Sequence, residues 1–288
     1  MKKHSLVVQL NHPGSELKYK SNGRDFFEEN GNIIRPWNTH KIHYRKFLCN
    51  KGSYINNPGD KVVESDLLFW GEWEGFSEFQ VLGKNDCFGI HFPFYRSYEG
   101  LTGNIQNTDP YVYGDYFKYA TCKQRGKLLN LEIGSLVLFG SSFKDKYVLD
   151  TVFVVGEHEC SKSVFENNAA NYTEMYKNAT LKWTGTREYI SDVSPKNKKI
   201  YKGISYDEND KMFSYVPCKP NSGLNSEGFP RVSFDFNELG LNFCSNYSCV
   251  KYLSQNKDEI YNIWKKITDK VLNDGFSLGT HFNEPLLK

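Results

Sequence analysis

The segment Trp70-Gly71-Glu72-Trp73-Glu74 alternates carboxylates with other residues, and on a strand this spacing puts Glu72 and Glu74 on one face. Two acids held close repel, so one keeps its proton while the other stays ionised. Identical groups then supply the acid and the base that hydrolysis of a glycosidic or N-glycosidic bond requires. Trp70 and Trp73 would give a flat ligand rings to stack on. The alternative is an edge strand with a solvated acidic face and packed aromatics.

A second acid lies in Asn107-Thr108-Asp109-Pro110-Tyr111, with Asp115 further on. Asn or Asp caps the backbone of such a turn and Pro fixes the bend, so an ordinary Asx-turn is one reading. The other is a carboxylate, Asp109, held beside Tyr111 and Tyr113, with Asn107 orienting, where it can polarise water or stabilise a sugar cation above a stacked base. His12, in Asn-His-Pro-Gly after an apolar run, could reach the same cleft from a loop.

The densest basic and aromatic cluster runs from Trp37 to Lys46. Cations interleaved with rings suit a phosphate backbone with splayed bases, which assigns His40, Lys41, Arg45 and Lys46 to phosphates and Trp37 to stacking; a solvated loop is the plain alternative. His40 and His43 have metal-ligand spacing but no third ligand nearby, so neither metal nor cofactor is expected. Cys122-Lys123-Gln124 offers a thiol without a recognisable His or Asp partner. There is no phosphate-binding Walker loop, no GxGxxG, no GxSxG and no HExxH.

These residues sit in a chain of 288 with 36 basic and 34 acidic side chains, a net of +2, which gives no global pull toward a polyanion. Any nucleic-acid site must be a local patch. Most of the 19 Tyr and 21 Phe belong by default to the core, and tyrosine in such number also suits a surface that stacks flat ligands. Seven cysteines, an odd number without a CxxC pair, point to reduced thiols in a cytoplasm. The opening MKKHSLVVQL is too short an apolar run for a signal peptide, and nothing approaches the ~20 apolar residues of a membrane span.

Several elements can be placed. Leu6 to Leu10 reads as a strand, and so does Leu67 to Trp73, where Gly71 marks a bulge or a close backbone approach. Leu128 to Val155 holds two β-branched and aromatic runs that make paired buried strands. Ile260, Ile263, Trp264, Ile267 and Val271 recur at helical spacing, with Asn256 and Glu259 as start signals and Gly275 as a stop. The expectation is an α+β fold, mostly β sheet or barrel with long loops and a C-terminal amphipathic helix. It forms a single domain over 1–288, with the core and site in 1–158, a peripheral insertion at 159–215 and a C-terminal segment at 216–288.

Taken in order, QLNHPG, WN, HYRKF, WGEWE, QNTDPYVYGD, CKQ, LEIGSLVLFGS, VLDTVFVV and YVPCKP resemble the recurring blocks of a bacterial protein family. That family is similar to components of loci for nucleic-acid modification or phage defence, including enzymes that remove modified bases from viral DNA. Asp-Pro-Tyr also occurs in the water-activating motif of uracil-DNA glycosylases, where it follows a buried strand; here it follows polar GNIQNT. The strands around Leu136 and Val152 look like those of PUA-like barrels, a superfamily containing readers of modified bases. The resemblances imply an enzyme acting on modified bases in DNA, and with the residues above the expectation is a DNA N-glycosylase in which Asp109 first, and Glu72 or Glu74 second, is the catalytic acid. The alternatives are a non-catalytic reader of modified bases and an interaction subunit of a defence complex.

Overall fold

The computed structural model describes residues 3–15, 27–29, 32–34, 45–73, 75–81, 89–95, 108–120, 122–143, 146–160, 172–181, 199–222, 230–235, 250–254 and 256–288. The apolar runs become adjacent strands: β1 (Val7–Ser15) lies parallel to β9 (Leu136–Phe143), and β9 lies antiparallel to β10 (Lys146–Cys160). They are apolar at successive positions because this sheet is covered on both faces. Leu6, Val8, Leu10, Val137, Phe139, Phe153 and Val155 enter one core, while Val7, Leu136, Leu138, Val152 and Val154 enter a second. A sheet with one wet face would have alternated.

The first sheet runs β14 (Val250–Ser254), β1, β9, β10, β11 (Lys199–Gly203) and β8 (Lys118–Tyr119), with β13 (Ser233–Phe234) also on β10. The 15-residue β10 serves several partners by breaking register at Leu149/Thr151 against β9 and at Val155/His158 against β11. Each bulge bends the strand and frees its next stretch for a different neighbour. Within 159–215, β11 is an interior strand of this sheet, and Tyr176, Tyr201 and Tyr215 are fully buried.

In the second sheet β4 (Lys46–Ile55) pairs with β5 (Val63–Gly71), and β12 (Val216–Pro220) pairs with both β5 and β15 (Ser277–Phe282). Because β15 also pairs with β4, the four close as a small barrel. From Leu48 of β4 the sheet continues through β7 (Gly89–Phe94), β6 (Phe76–Val81), β3 (Asn32–Ile34) and β2 (Phe27–Glu29). A Cβ on Gly71 would lie 3.2 Å from the Phe69 ring and 3.4 Å from Leu48, the close approach expected of that glycine. The sheets meet where Val152 and Tyr215 exchange backbone hydrogen bonds, both 2.9 Å.

The helix Lys257–Asn273 covers the second core with Ile260, Ile263, Trp264, Ile267 and Val271, and its Trp264 Nε1 donates to the carbonyl of Phe213 (3.0 Å). Asn256 caps it by accepting from Asp258 N–H (3.0 Å). Glu259, expected to reach back to Asn256, instead accepts from Ser254 Oγ (2.7 Å), which itself receives the Asn256 N–H (3.1 Å). Gly275, at φ +79, ends the helix: its N–H bonds Leu272 O (2.9 Å) and Phe276 N–H bonds Val271 O (3.2 Å), a Schellman motif. No helix among the described residues is long and apolar enough to cross a membrane.

Two measurements check this packing. A Cβ on Gly140 of β9 would stand 2.2 Å from the Val148 carbonyl and 2.7 Å from the Tyr147 ring, so Gly140→Ala should lower stability in urea unfolding by about 1–3 kcal/mol or more. Burial also pushes the hydroxyls of Tyr113, Tyr119, Tyr147, Tyr176 and Tyr215 upward. The folded chain therefore keeps protons that the unfolded chain gives up above pH about 10, the ordinary tyrosine value. Stability should be complete below that pH and fall as pH rises beyond it, read as alkaline unfolding coincident with phenolate absorbance.

Candidate functional site

Asp109, at the cis Asp109–Pro110 peptide, is 1 % exposed, and its carboxylate accepts the backbone N–H groups of Ala120 (2.9 Å) and Cys122. It ties the start of the 109–122 loop to its end. Between those points Tyr111 and Lys118 exchange backbone hydrogen bonds of 2.8 and 2.7 Å, and Gly114 turns the chain at φ +80, its N–H on Phe282 O (2.8 Å). The fully buried Tyr111 and Tyr113 belong to a ladder of edge-on rings, with Trp73 to Tyr113 at 5.2 Å, Tyr113 to Tyr111 at 5.5 Å and Tyr111 to Tyr176 at 4.8 Å.

The far end of this ladder opens on a cleft of about 510 Å³. Tyr116, Tyr172 and Tyr176 give it aromatic walls, while Asp115, Glu159 and Glu284 bring carboxylates and Lys118 and Lys202 bring amines. Glu284 Oε1 accepts from the Tyr111 hydroxyl (2.9 Å) and from Thr173 Oγ1 (2.6 Å). Neutral hydroxyls thus fix the carboxylate, and its Oε2 has no hydrogen bond among the described residues. Lys202 pairs with Glu159 at 3.2 Å and lies 5.0 Å from the Tyr116 ring centre.

Lys118 is 7 % exposed. Its Nζ donates to the Tyr116 carbonyl (3.1 Å) and stands 5.2, 5.2 and 5.1 Å from the ring centres of Tyr111, Tyr116 and Tyr176. Burial, helped by Lys202 and opposed by Glu284 and Asp115, lowers this amine from 10.5 to about 8. A fraction is then an uncharged amine at neutral pH, a condition for nucleophilic lysine chemistry.

The residues chosen from the sequence gather in two other places. Arg45 bridges Glu72, through Nη1, and Asp150, through Nε at 2.8 Å, and all three side chains are 2 % exposed. Arg231 completes the group with bonds to Asp150 (2.8 and 3.0 Å) and Ser141 Oγ (2.7 Å), and its guanidinium lies 5.7 Å from the Trp70 ring centre. Glu72 is thus committed to a guanidinium inside the protein. The strand carrying Trp70 ends at Gly71, so the alternation that would align Glu72 with Glu74 does not continue. Lys46, also buried, donates from Nζ to the Trp73 carbonyl.

Arg45 and Lys46 thus bind internal partners. Asn107, Glu74, Trp37, His40 and Lys41 lie outside the described residues, as does the side chain of His12, whose backbone is part of β1. Sequence reasoning passed over Lys118, Glu284, Tyr172, Tyr176, Lys202, Asp150 and Arg231. Only Lys118 carried a local signal, a cation inside the aromatic run Tyr116-Phe117-Lys118-Tyr119. Among the described residues no group of three His, Cys, Asp or Glu side chains is placed to hold a metal ion. No family model, curated protein or solved structure matches the chain.

Removing Arg45 would leave Glu72 and Asp150 buried without their shared cation. Arg45→Ala should cost about 3–5 kcal/mol in urea unfolding, the scale of a broken buried ion pair. A loss below 1 kcal/mol would mean that the two acids find water or another cation.

Proposed function

We propose that this chain is a DNA N-glycosylase of phage defence that takes one modified nucleotide into the tyrosine-walled cleft and cleaves its base from deoxyribose. The observation that carries the proposal is the pairing, in a cavity of about 510 Å³, of aromatic walls with a carboxylate, Glu284, oriented by two hydroxyls. That volume suits a nucleoside-sized ligand. An extruded base stacks on tyrosine, and an aligned carboxylate stabilises the cation developing on the sugar as the base departs. The resemblance of the sequence blocks to a family linked with nucleic-acid modification supports the same choice of substrate.

A second reading, a reader of modified bases that binds in this cleft without cleaving, is favoured by one observation. Asp109 and Glu72, the acids singled out in the sequence, both serve partners inside the protein. Incubation with phage DNA carrying modified bases, and with unmodified DNA, separates the two when abasic sites are scored by alkaline strand cleavage. Abasic sites should form only in modified DNA, and Glu284→Gln should slow them by about 10²–10⁴-fold while leaving binding in place. DNA that is bound but stays intact would establish the reader.

A further inference from the structure

We infer that Lys118 is a carbonyl-reactive amine that forms an imine with the open-chain aldehyde of an abasic deoxyribose, adding strand cleavage to the base removal on which this inference rests. The placement of the side chain is the main argument. Tyr119, the next residue on β8, is fully buried in the core and stacks with Tyr201 at 6.0 Å, so strand alternation sends Lys118 to the cleft side. There it stands directly across from Lys202 of β11, a like-charge pair that is ordinarily unfavourable in a sheet.

Two features separate Lys118 from a lysine that merely packs. Glu284 and Asp115 act on it through space, yet no carboxylate among the described residues forms an ion pair with its Nζ. Its lowered proton affinity is what burial and a second amine produce at nucleophilic lysines. The acids needed to move protons line the same cavity.

The step balances with water as the sole co-reactant. The neutral Nζ adds its electron pair to the aldehyde carbon C1′, a C–N bond forms, and the carbonyl oxygen leaves as water with the two amine protons. Protonation of the imine withdraws electrons and acidifies C2′. A cleft carboxylate, assigned to Glu284, takes the C2′ proton; the C2′=C3′ bond forms as the C3′–O bond breaks, and the 3′ phosphate departs. Water then hydrolyses the imine and restores the amine.

The test is borohydride reduction of the full-length protein mixed with an oligonucleotide that carries a preformed abasic site. The wild-type chain should give a covalent adduct on a denaturing gel, mapped by mass spectrometry to the Lys118 peptide. Its yield should rise with pH and level off above about 8. Lys118→Arg keeps the charge and Lys118→Met keeps the apolar stem; both should lose the adduct while retaining the wild-type melting temperature. No adduct with the wild type, or an adduct that persists in both variants, overturns the inference. Starting from modified DNA distinguishes the two levels: abasic sites released without any adduct leave base removal standing and sink the imine. An adduct on preformed abasic sites, with none released from modified DNA, does the reverse.

Discussion

One guanidinium, that of Arg45, sits at the start of β4 and holds Glu72, just past the end of β5, and Asp150, in the middle of β10. The first two belong to the barrel and the third to the other sheet, so a single side chain joins the sheets in addition to the Val152–Tyr215 backbone pair. Ions this deep are costly to desolvate and tolerate little error in position. Arg231 binds the same Asp150 from the β13 side and reaches Ser141 on β9, which extends the constraint across three strands of the first sheet. The group contains two cations and two anions, so its charges offset one another inside the protein.

From that anchor the geometry passes to the cleft through rings. Lys46, adjacent to Arg45, holds the Trp73 carbonyl, and Trp73 starts the ladder that runs through Tyr113 and Tyr111 to Tyr176. Edge-on packing is a favoured geometry for such rings, and Asp109 fixes the loop that carries two of them. The cleft is thus assembled at the edge of a rigid core, on β8 and β11, where strand β8 is only two residues long. Preorganisation of this kind is what a site needs if its polar groups are to meet a ligand without rearranging.

What could be read in the sequence was whatever is decided locally or by burial. The helix carries its start, stripe and stop within one segment, and all three appear, although Ser254 displaces the expected bond between Glu259 and Asn256. The strands β1, β9 and β10 announce themselves because burial on both faces leaves no polar alternation to hide them. The acids were harder, because a carboxylate that organises backbone N–H groups and one that lines a cleft look alike as letters. Asp109 and Glu72 stand in eye-catching aromatic settings since those settings are core, whereas Glu284 lies in plain His-Phe-Asn-Glu-Pro and reaches the cleft only because β15 closes the barrel. Partners so distant in sequence become neighbours through sheet closure, which no local pattern records.

The three rings around Lys118 set two physical effects against each other. Ring faces attract an ammonium, by about 0.5–2 kcal/mol each where solvent is excluded, and so favour its charged form. Burial and the facing Lys202 oppose it, and an amine brought from 10.5 to about 8 has lost on the order of 3 kcal/mol of preference for its proton. Desolvation and the rings thus pull the amine in opposite directions. Had the fold needed only a cation to fill the space between the rings, a carboxylate brought into contact with Nζ would have neutralised the penalty, as Glu159 does for Lys202. Glu284 is instead held by hydroxyls and kept out of ion-pair contact, an arrangement that leaves both the amine and the acid available to a third party in the cleft.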